Sequence, residues 1–199
     1  MSLLEHLDAW DRSLFLAING LHSSFSDAVM SQVSEPLTWI PVYLLLLFLL
    51  KQRFGWNGLA WSVPVIALMV LCSDSGSVVL FKNTVQRLRP SHVEALNGSI
   101  HLLTDDKGEI LRGGSFGFVS SHASNHFAIA VFMIGVLHGS LRGLAPVLIG
   151  WAVVIGYSRI YLGMHYPGDV LVGALYGALI GWSFALLHTG VMMRIQRLG

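Results

Sequence analysis

Apolar runs close to the ~20 residues that cross a hydrocarbon core as helix recur along this chain, separated by short polar breaks. Pro36 and Pro41 open one run, which becomes unbroken hydrocarbon from Val42 to Leu50 and ends at Lys51-Gln52-Arg53. Leu59 to Phe81 makes the next, and Ser121 to Leu137, Leu144 to Leu162 and Gly168 to Leu187 make three more. Upstream, residues 14–33 are mixed: Leu14, Phe15, Ile18, Leu21, Phe25 and Val29 recur at helical spacing among Asn19, His22, Ser23, Ser24 and Asp27. That pattern fits either a span or a helix lying in the interface. The whole predicts an all-α, integral-membrane helical bundle of five to six transmembrane helices, a single domain over residues 1–199 without internal repeat.

The polar breaks carry the remaining information. Residues 82–120 form a long polar loop in which Asn97-Gly98, Asp105-Asp106-Lys107-Gly108 and Gly113-Gly114 signal turns. A loop of this length is usually functional or disordered. Ser73, Asp74, Ser75 and Ser77 occupy the last two turns of the span that precedes it. A carboxylate at that depth faces the bundle interior or a hydrated pocket, either ordering a nearby cation such as Lys82 or Arg159 or resting as a hydrogen-bonded interior group. In the last span Gly173, Gly177 and Gly181 recur every four residues, a stripe that lets a helix approach closely, within one bundle or between two copies in an oligomer.

Composition agrees with the pattern: 54% of the 199 residues are hydrophobic and 12% charged. A net charge of +1 offers no basic surface for nucleic acid. The single cysteine, Cys72, excludes an intramolecular disulfide and a multi-cysteine metal site. The acidic segment Met1 to Arg12 lacks the basic stretch and short apolar core of a cleaved signal peptide, so targeting is expected to reside in the spans. If the helices alternate, Lys51, Arg53, Arg142, Arg194 and Arg197 share one face with no acidic residue among them, which the positive-inside rule makes cytoplasmic. The outer face then receives the 82–120 loop and the 158–169 turn, where Arg87, Lys107 and Arg112 are outnumbered by Glu35, Glu94, Asp105, Asp106 and Glu109.

The fragments gathered on that face have a common chemistry. Lys82, Arg89 and Arg159 adjoin apolar spans and need an anion; converging on one pocket, they would bind a phosphoryl group, the arginines in bidentate fashion. Arg89 returns to the face of Lys82 if the helix continues two turns to Pro90. Ser120 and Ser121 stand where a helix N-cap belongs, a position that serves capping and phosphate binding alike. His165 and Asp169 are four apart around Tyr166-Pro167-Gly168, so the carboxylate can hold one ring nitrogen while the other is aimed at substrate as a nucleophile. His122 is the candidate general acid and, for the second step, base, which requires it protonated at working pH. His126, one turn further on, opens a rival reading in which it joins His122, His165 and Asp169 as zinc ligands. That reading ranks second, because a metal competes with Lys82, Arg89 and Arg159 and leaves their charges unexplained. His126 more simply lines or packs beneath the site, and His6, His22, His92, His101, His138 and His188 have no motif context. A non-catalytic lipid-phosphate binder or transporter is the third class, and the His165–Asp169 pair gives it no support.

These fragments resemble the type 2 phosphatidic acid phosphatases, or lipid phosphate phosphatases, whose fold is shared with vanadium haloperoxidases. The family pattern of lysine, six residues and Arg-Pro is complete in Lys82-Asn-Thr-Val-Gln-Arg-Leu-Arg89-Pro90, and its Ser-Arg, five residues, His, three residues, Asp is complete in Ser158-Arg159 to His165 and Asp169. The Pro-Ser-Gly-His element appears as Val119-Ser120-Ser121-His122, with valine for proline and serine for glycine. The resemblance implies that His165 attacks phosphorus to form a phosphohistidine, Asp169 orients it, Lys82, Arg89, Ser120 and Arg159 hold the phosphate, and His122 serves the leaving group. No metal or organic cofactor is implied. The expected partners are a lipid phosphate substrate and membrane lipids, in a bacterial inner (cytoplasmic) membrane with the active site on the periplasmic side. Undecaprenyl pyrophosphate, phosphatidylglycerophosphate, phosphatidic acid and lipid A phosphates are the candidate substrates, and the compact chain and outward site favour a prenyl pyrophosphate or phospholipid slightly.

Overall fold

The computed structural model describes residues 2–105, 107–138 and 143–198, without the side chains of 195–198; Asp106, Arg142 and the Arg197 side chain, counted above by charge, lie outside the described residues. The first helix, α1 (Leu3–Asn19), starts at a capping box: Ser2 Oγ accepts from the Glu5 N–H while the Glu5 carboxylate accepts from the Ser2 N–H. A second, α2 (Ser24–Ser34), is capped by Ser23. The mixed segment 14–33 is therefore not one helix but parts of two, because Gly20 to Ser23 turn the chain and Ser23 starts a new ladder. Neither is among the three described helices long and apolar enough to cross a membrane. On α1, Leu3, Leu7, Trp10 and Leu14 are exposed along one face, while Phe15 and Asn19 are buried on the other.

The next two apolar runs belong to one element, α3 (Ile40–Gly76), entered through a 3₁₀ turn, Pro36–Trp39. It breaks at Gly55, whose φ of 69° and ψ of −174° suit glycine and cost any other residue dearly. The two limbs fold back together. Tyr43 on the first touches His126, and Ser73 on the second bonds Ser124, less than a turn apart on α5 (Ser121–Val136). Beyond Gly76 the helix widens into a π turn, Ser77–Lys82, tightens into α4 (Asn83–Val85), and stops where Gln86 takes a left-handed φ of 51°. A helix running unbroken to Pro90 is thus corrected: Arg89 comes back on extended backbone, its N–H on Ser115 O at 3.0 Å.

Two more helices, α6 (Leu144–Tyr161) and α7 (Pro167–Leu198), complete the bundle. Its core joins Leu46, Leu50 and Met69 of α3 to Phe132 and Met133 of α5 and Ile155 of α6. Outward, Leu44, Phe48, Leu171, Leu175, Leu179 and Trp182 are exposed, the surface a bilayer's hydrocarbon covers. Phe54 packs on His188 and Gly58 lies near Met192, which puts Lys51, Arg53 and Arg194 together at the end of the bundle opposite Lys82 and His165.

The glycine stripe of α7 is spent inside the chain. A Cβ at Gly173, Gly177 or Gly181 would lie 2.6, 2.0 or 2.3 Å from the carbonyl oxygens of Ser120, Ser124 and Ala128, so the stripe seats α5 against α7 and is not an open oligomer surface. Gly177→Ala is expected to destabilise the protein by ~1–3 kcal/mol through overpacking, since the obstructing atom is backbone and cannot swing aside. Thermal unfolding in detergent measures it, with Gly150→Ala, whose added Cβ meets nothing, as the silent control.

Candidate active site

The close α5–α7 contact sets the site, because it brings the start of α5 beside the start of α7: Ser120 N–H donates to Asp169 O at 3.0 Å. Ser120 is fully buried and its hydroxyl faces the Ala123 N–H at 3.4 Å as the cap of α5. Ser121 is the first helical residue and needs no positive φ, so the place of the family's glycine accepts a side chain. That side chain is useful. Ser121 Oγ accepts from Lys82 Nζ at 2.7 Å and lies 2.6 Å from Ser77 Oγ, so the widened turn of 77–82 and the α5 start together fix the lysine. Of the two serines, Ser121 is the one that lines the cavity beside Lys82.

Arg89 is steered by carbonyls: Nε donates to Phe116 O at 3.3 Å and Nη1 to Met164 O at 3.3 Å, which leaves Nη1 3.2 Å from His165 Nε2. Arg159 projects from the last turn of α6 and donates through Nη1 to Ser34 Oγ of α2, while its buried Nε has no partner. An arginine with an unspent, buried N–H awaits an acceptor. His165 is buried on the turn between α6 and α7, and its Nδ1 stands 3.6 Å from Asp169 Oδ2, outside hydrogen-bond range. The other demands on Asp169 explain the gap: Oδ2 already accepts the Tyr166 N–H at 3.0 Å, and Oδ1 accepts Arg87 Nη1–H at 2.9 Å. Burial, then the charges of Arg89, Arg159 and Lys82, push the His165 pKa well below the ordinary histidine value. The imidazole is therefore neutral near neutral pH, as a nucleophile must be.

Lys82, Arg89, Ser121 and His122 form the polar end of a cavity of about 720 Å³. Asp74, Asn125, His126 and Tyr43 also line it, and the rest is apolar, with Leu46, Leu50 and Met69 on one side and Ile129, Phe132 and Met133 on the other. A second, smaller cavity of about 210 Å³ holds Arg159, Ser34 and Glu35, and His122 borders both. Asp74 lines the large cavity but accepts from Asn125 Nδ2 at 3.3 Å rather than pairing with Lys82 or Arg159. His126 has both nitrogens committed, Nδ1 to His122 O at 2.8 Å and Nε2 to Tyr43 Oη at 3.1 Å. The donor set of the zinc alternative is thus not assembled, and among the described residues no three His, Cys, Asp or Glu side chains converge as ligands. Sequence reading missed Arg87, which it counted only as a loop charge, and Tyr43 and Ser77; no spacing rule marked them, and only the fold brings them to these partners.

A cluster of Lys82, Arg89 and Arg159, a buried neutral histidine with a carboxylate behind it, and a largely apolar chamber at its edge fit a membrane hydrolase acting on lipid phosphates. Comparison with known proteins identifies it further: the PAP2 superfamily profile matches residues 59–193, and the chain belongs to that superfamily as a membrane lipid phosphatase. It is 35% identical to a lipid A 4'-phosphatase of Bacteroides thetaiotaomicron over 98% of this chain and 84% of that one. It is 28% identical to a lipid A 4'-phosphatase of Porphyromonas gingivalis over 89% of this chain and 72% of that one. In fold it matches the crystal structure of a transmembrane PAP2-type phosphatidylglycerolphosphate phosphatase from Bacillus subtilis, with a TM-score of 0.68 and 20% identity over 98% of this chain and 90% of that one.

Proposed function

We propose that this protein removes phosphate from a saccharide lipid of the lipid A type by way of a phosphohistidine on His165. The observation that carries the proposal is the junction of the cationic cluster with the apolar cavity, which fits a charged head at the polar end and an acyl tail between the limbs of α3 and α5. The lipid A 4'-phosphatases among the relatives move the preference away from the prenyl pyrophosphate or phospholipid that size alone favours.

The chemistry follows from the placement of the groups. Lys82, Arg89 and Arg159 take the phosphoryl oxygens, with Arg159 offering its free Nε–H. His165 Nε2, its lone pair freed as Arg89 turns to phosphate, attacks phosphorus in line with the departing oxygen. A P–N bond forms, the P–O bond to the lipid breaks, and His122 gives its proton to the lipid oxygen. The negative charge of the phosphoryl group favours the imidazolium form of His122 that this step needs. Water then attacks the phosphohistidine, yields a proton to His122, and the P–N bond breaks to release inorganic phosphate. Asp169 stabilises the positive charge that forms on the His165 ring, the 3.6 Å gap to Nδ1 closing as that charge develops.

Five spans fit the fold: the two limbs of α3, then α5, α6 and α7. Lys51, Arg53 and Arg194 at the far end support placing that end in the cytoplasm and the active site on the outer face. The exposed stripe of Leu3, Leu7, Trp10 and Leu14 suits α1 to lie along the bilayer surface beside the site. The reading is tested by phosphate release from lipid A, undecaprenyl pyrophosphate, phosphatidylglycerophosphate and phosphatidic acid, each with and without chelator. Turnover of lipid A that survives chelation is expected; loss of activity to chelator would revive the metal alternative, and binding without turnover the transporter.

A further inference from the structure

Asp169 is braced from behind. While Oδ2 faces His165, Oδ1 accepts Arg87 Nη1–H at 2.9 Å. The same Nη1 donates to Asp11 Oδ2 at 2.7 Å, and Nη2 donates to Asp8 Oδ1 at 2.9 Å. Asp11 turns its other oxygen to the Gly168 N–H at 2.7 Å, the residue just before Asp169. The guanidinium carbon sits 4.0 Å from the centroid of the Tyr166 ring, the residue just after His165. Backbone closes the arrangement, since Arg87 O accepts the Gly117 N–H at 2.8 Å.

These contacts separate Arg87 from the phosphate-binding cations. Nη1 and Nη2 are turned to carboxylates, and Arg87 borders neither the large nor the small cavity. Burial opposes its charge, but Asp169 and Asp11 outweigh it and leave the Arg87 pKa raised, so the cation is permanent. Without it, three carboxylates, Asp8, Asp11 and Asp169, would face one another around a vacated centre. The Lys-six residues-Arg-Pro pattern leaves position 87 free, so the motif gives this residue no part.

We propose that Arg87 is a positioning residue for the nucleophile: carried by Asp8 and Asp11 of α1, it fixes Asp169 so that Oδ2 faces His165 Nδ1 across 3.6 Å, the gap that closes as charge develops on the ring. The amino-terminal helix is then part of the catalytic apparatus although no residue of it lines either cavity. The inference rests on the reading of His165 as nucleophile and extends it.

The test compares wild type, Arg87→Met, Arg87→Lys, Asp11→Asn, Asp169→Asn and Arg87→Met/Asp169→Asn in lipid A hydrolysis, with orthovanadate inhibition as the probe of the phosphate pocket. Removing a group that orients another typically costs ~10- to 100-fold. Arg87→Met is expected to lose that much in kcat, with KM and the vanadate inhibition constant within about twofold, because the phosphate cations are untouched. Arg87→Lys should recover part of the loss, and Asp11→Asn, the gentler change, should lose about 3- to 10-fold in kcat alone. Because Arg87 acts through Asp169, the double variant should be no slower than Asp169→Asn. Losses that multiply in the double variant, or vanadate affinity falling in step with kcat, overturn the inference. So does an unimpaired Arg87→Met, and Asp11→Asn decides the matter if Arg87→Met fails to fold. His165→Ala is run alongside: if it keeps activity, the nucleophile reading is what fails, whereas a dead His165→Ala beside a normal Arg87→Met removes Arg87 alone.

Discussion

Replacing His165 with alanine is expected to reduce turnover by about 10⁶-fold, the loss seen when the nucleophile of a cooperating set is removed. The size follows from how little else can attack. His126 is engaged at both nitrogens, and His122 has no carboxylate behind it as His165 has in Asp169. The variant keeps Lys82, Arg89 and Arg159, so it should still bind inorganic phosphate, and with Arg89 freed from its 3.2 Å contact to the imidazole that affinity should not fall. Rapid acid-free quenching of the wild type during turnover of ³²P-labelled lipid A should trap an acid-labile, base-stable phosphoprotein that His165→Ala never forms. A labelled alanine variant, or one that turns over at the wild-type rate, sinks the nucleophile assignment. The lowered pKa of His165 also sets a sign for pH: the neutral form persists below the ordinary histidine range, about 6.5, so His165 does not limit activity at neutral pH. The same shift links to stability, since the unfolded chain takes up the proton first, and the contribution of a buried neutral His165 is lost as pH falls below the unfolded value.

The second large effect is expected at His122. Changing it to alanine should cost ~10²- to 10⁴-fold on lipid A, the usual contribution of a positioned acid or base. The loss should depend on the leaving group, because an alkoxide of a sugar needs a proton and a nitrophenolate does not. With p-nitrophenyl phosphate, His122→Ala should release one equivalent of nitrophenol near the wild-type rate and then stall, since the water of the second step has lost its base. A burst followed by a slow phase, with phosphohistidine accumulating, is the expected record. Equal losses on both substrates without a burst would show that His122 supports structure and not proton transfer. The position of His122 at the border of both cavities makes the first outcome the expected one.

Much of the site was legible before any fold was known, and the reason differs residue by residue. His165 and Asp169 lie four positions apart, so their nearness is local and spacing reveals it, whereas the 3.6 Å between Nδ1 and Oδ2 is set by the other partners of Asp169. Lys82 was marked by its place at the end of an apolar run, yet the route from Lys82 to Arg89 was misread: Gln86 stops the helix in a left-handed conformation, and the 82–120 loop, held by Leu88 against Phe116, carries the arginine back. Ser120 and Ser121 were indistinguishable in sequence. Their roles divide by the helix start, which buries one hydroxyl as a cap and points the next at Lys82. The segment 14–33 was ambiguous because a polar helix end and a turn look alike in a hydropathy window, and the answer depended on Asn19 bonding to the carbonyls of His101 and Tyr161, contacts from distant parts of the chain.

By itself, the sequence determined the solvent this protein lives in and the family its motifs belong to, because apolar run length answers to bilayer thickness and the motif residues carry their chemistry wherever they are placed. Only the tertiary structure decided which groups meet. The return of α3 at Gly55 and the seating of α5 on the glycines of α7 build an apolar chamber beside the cations. The packing of α1 against the α6–α7 turn sets Asp8 and Asp11 around Arg87, behind Asp169 and His165. Those contacts join residues 76 to 157 positions apart in the chain, a range at which no periodicity of the sequence persists and only the packing of whole helices can fix a distance.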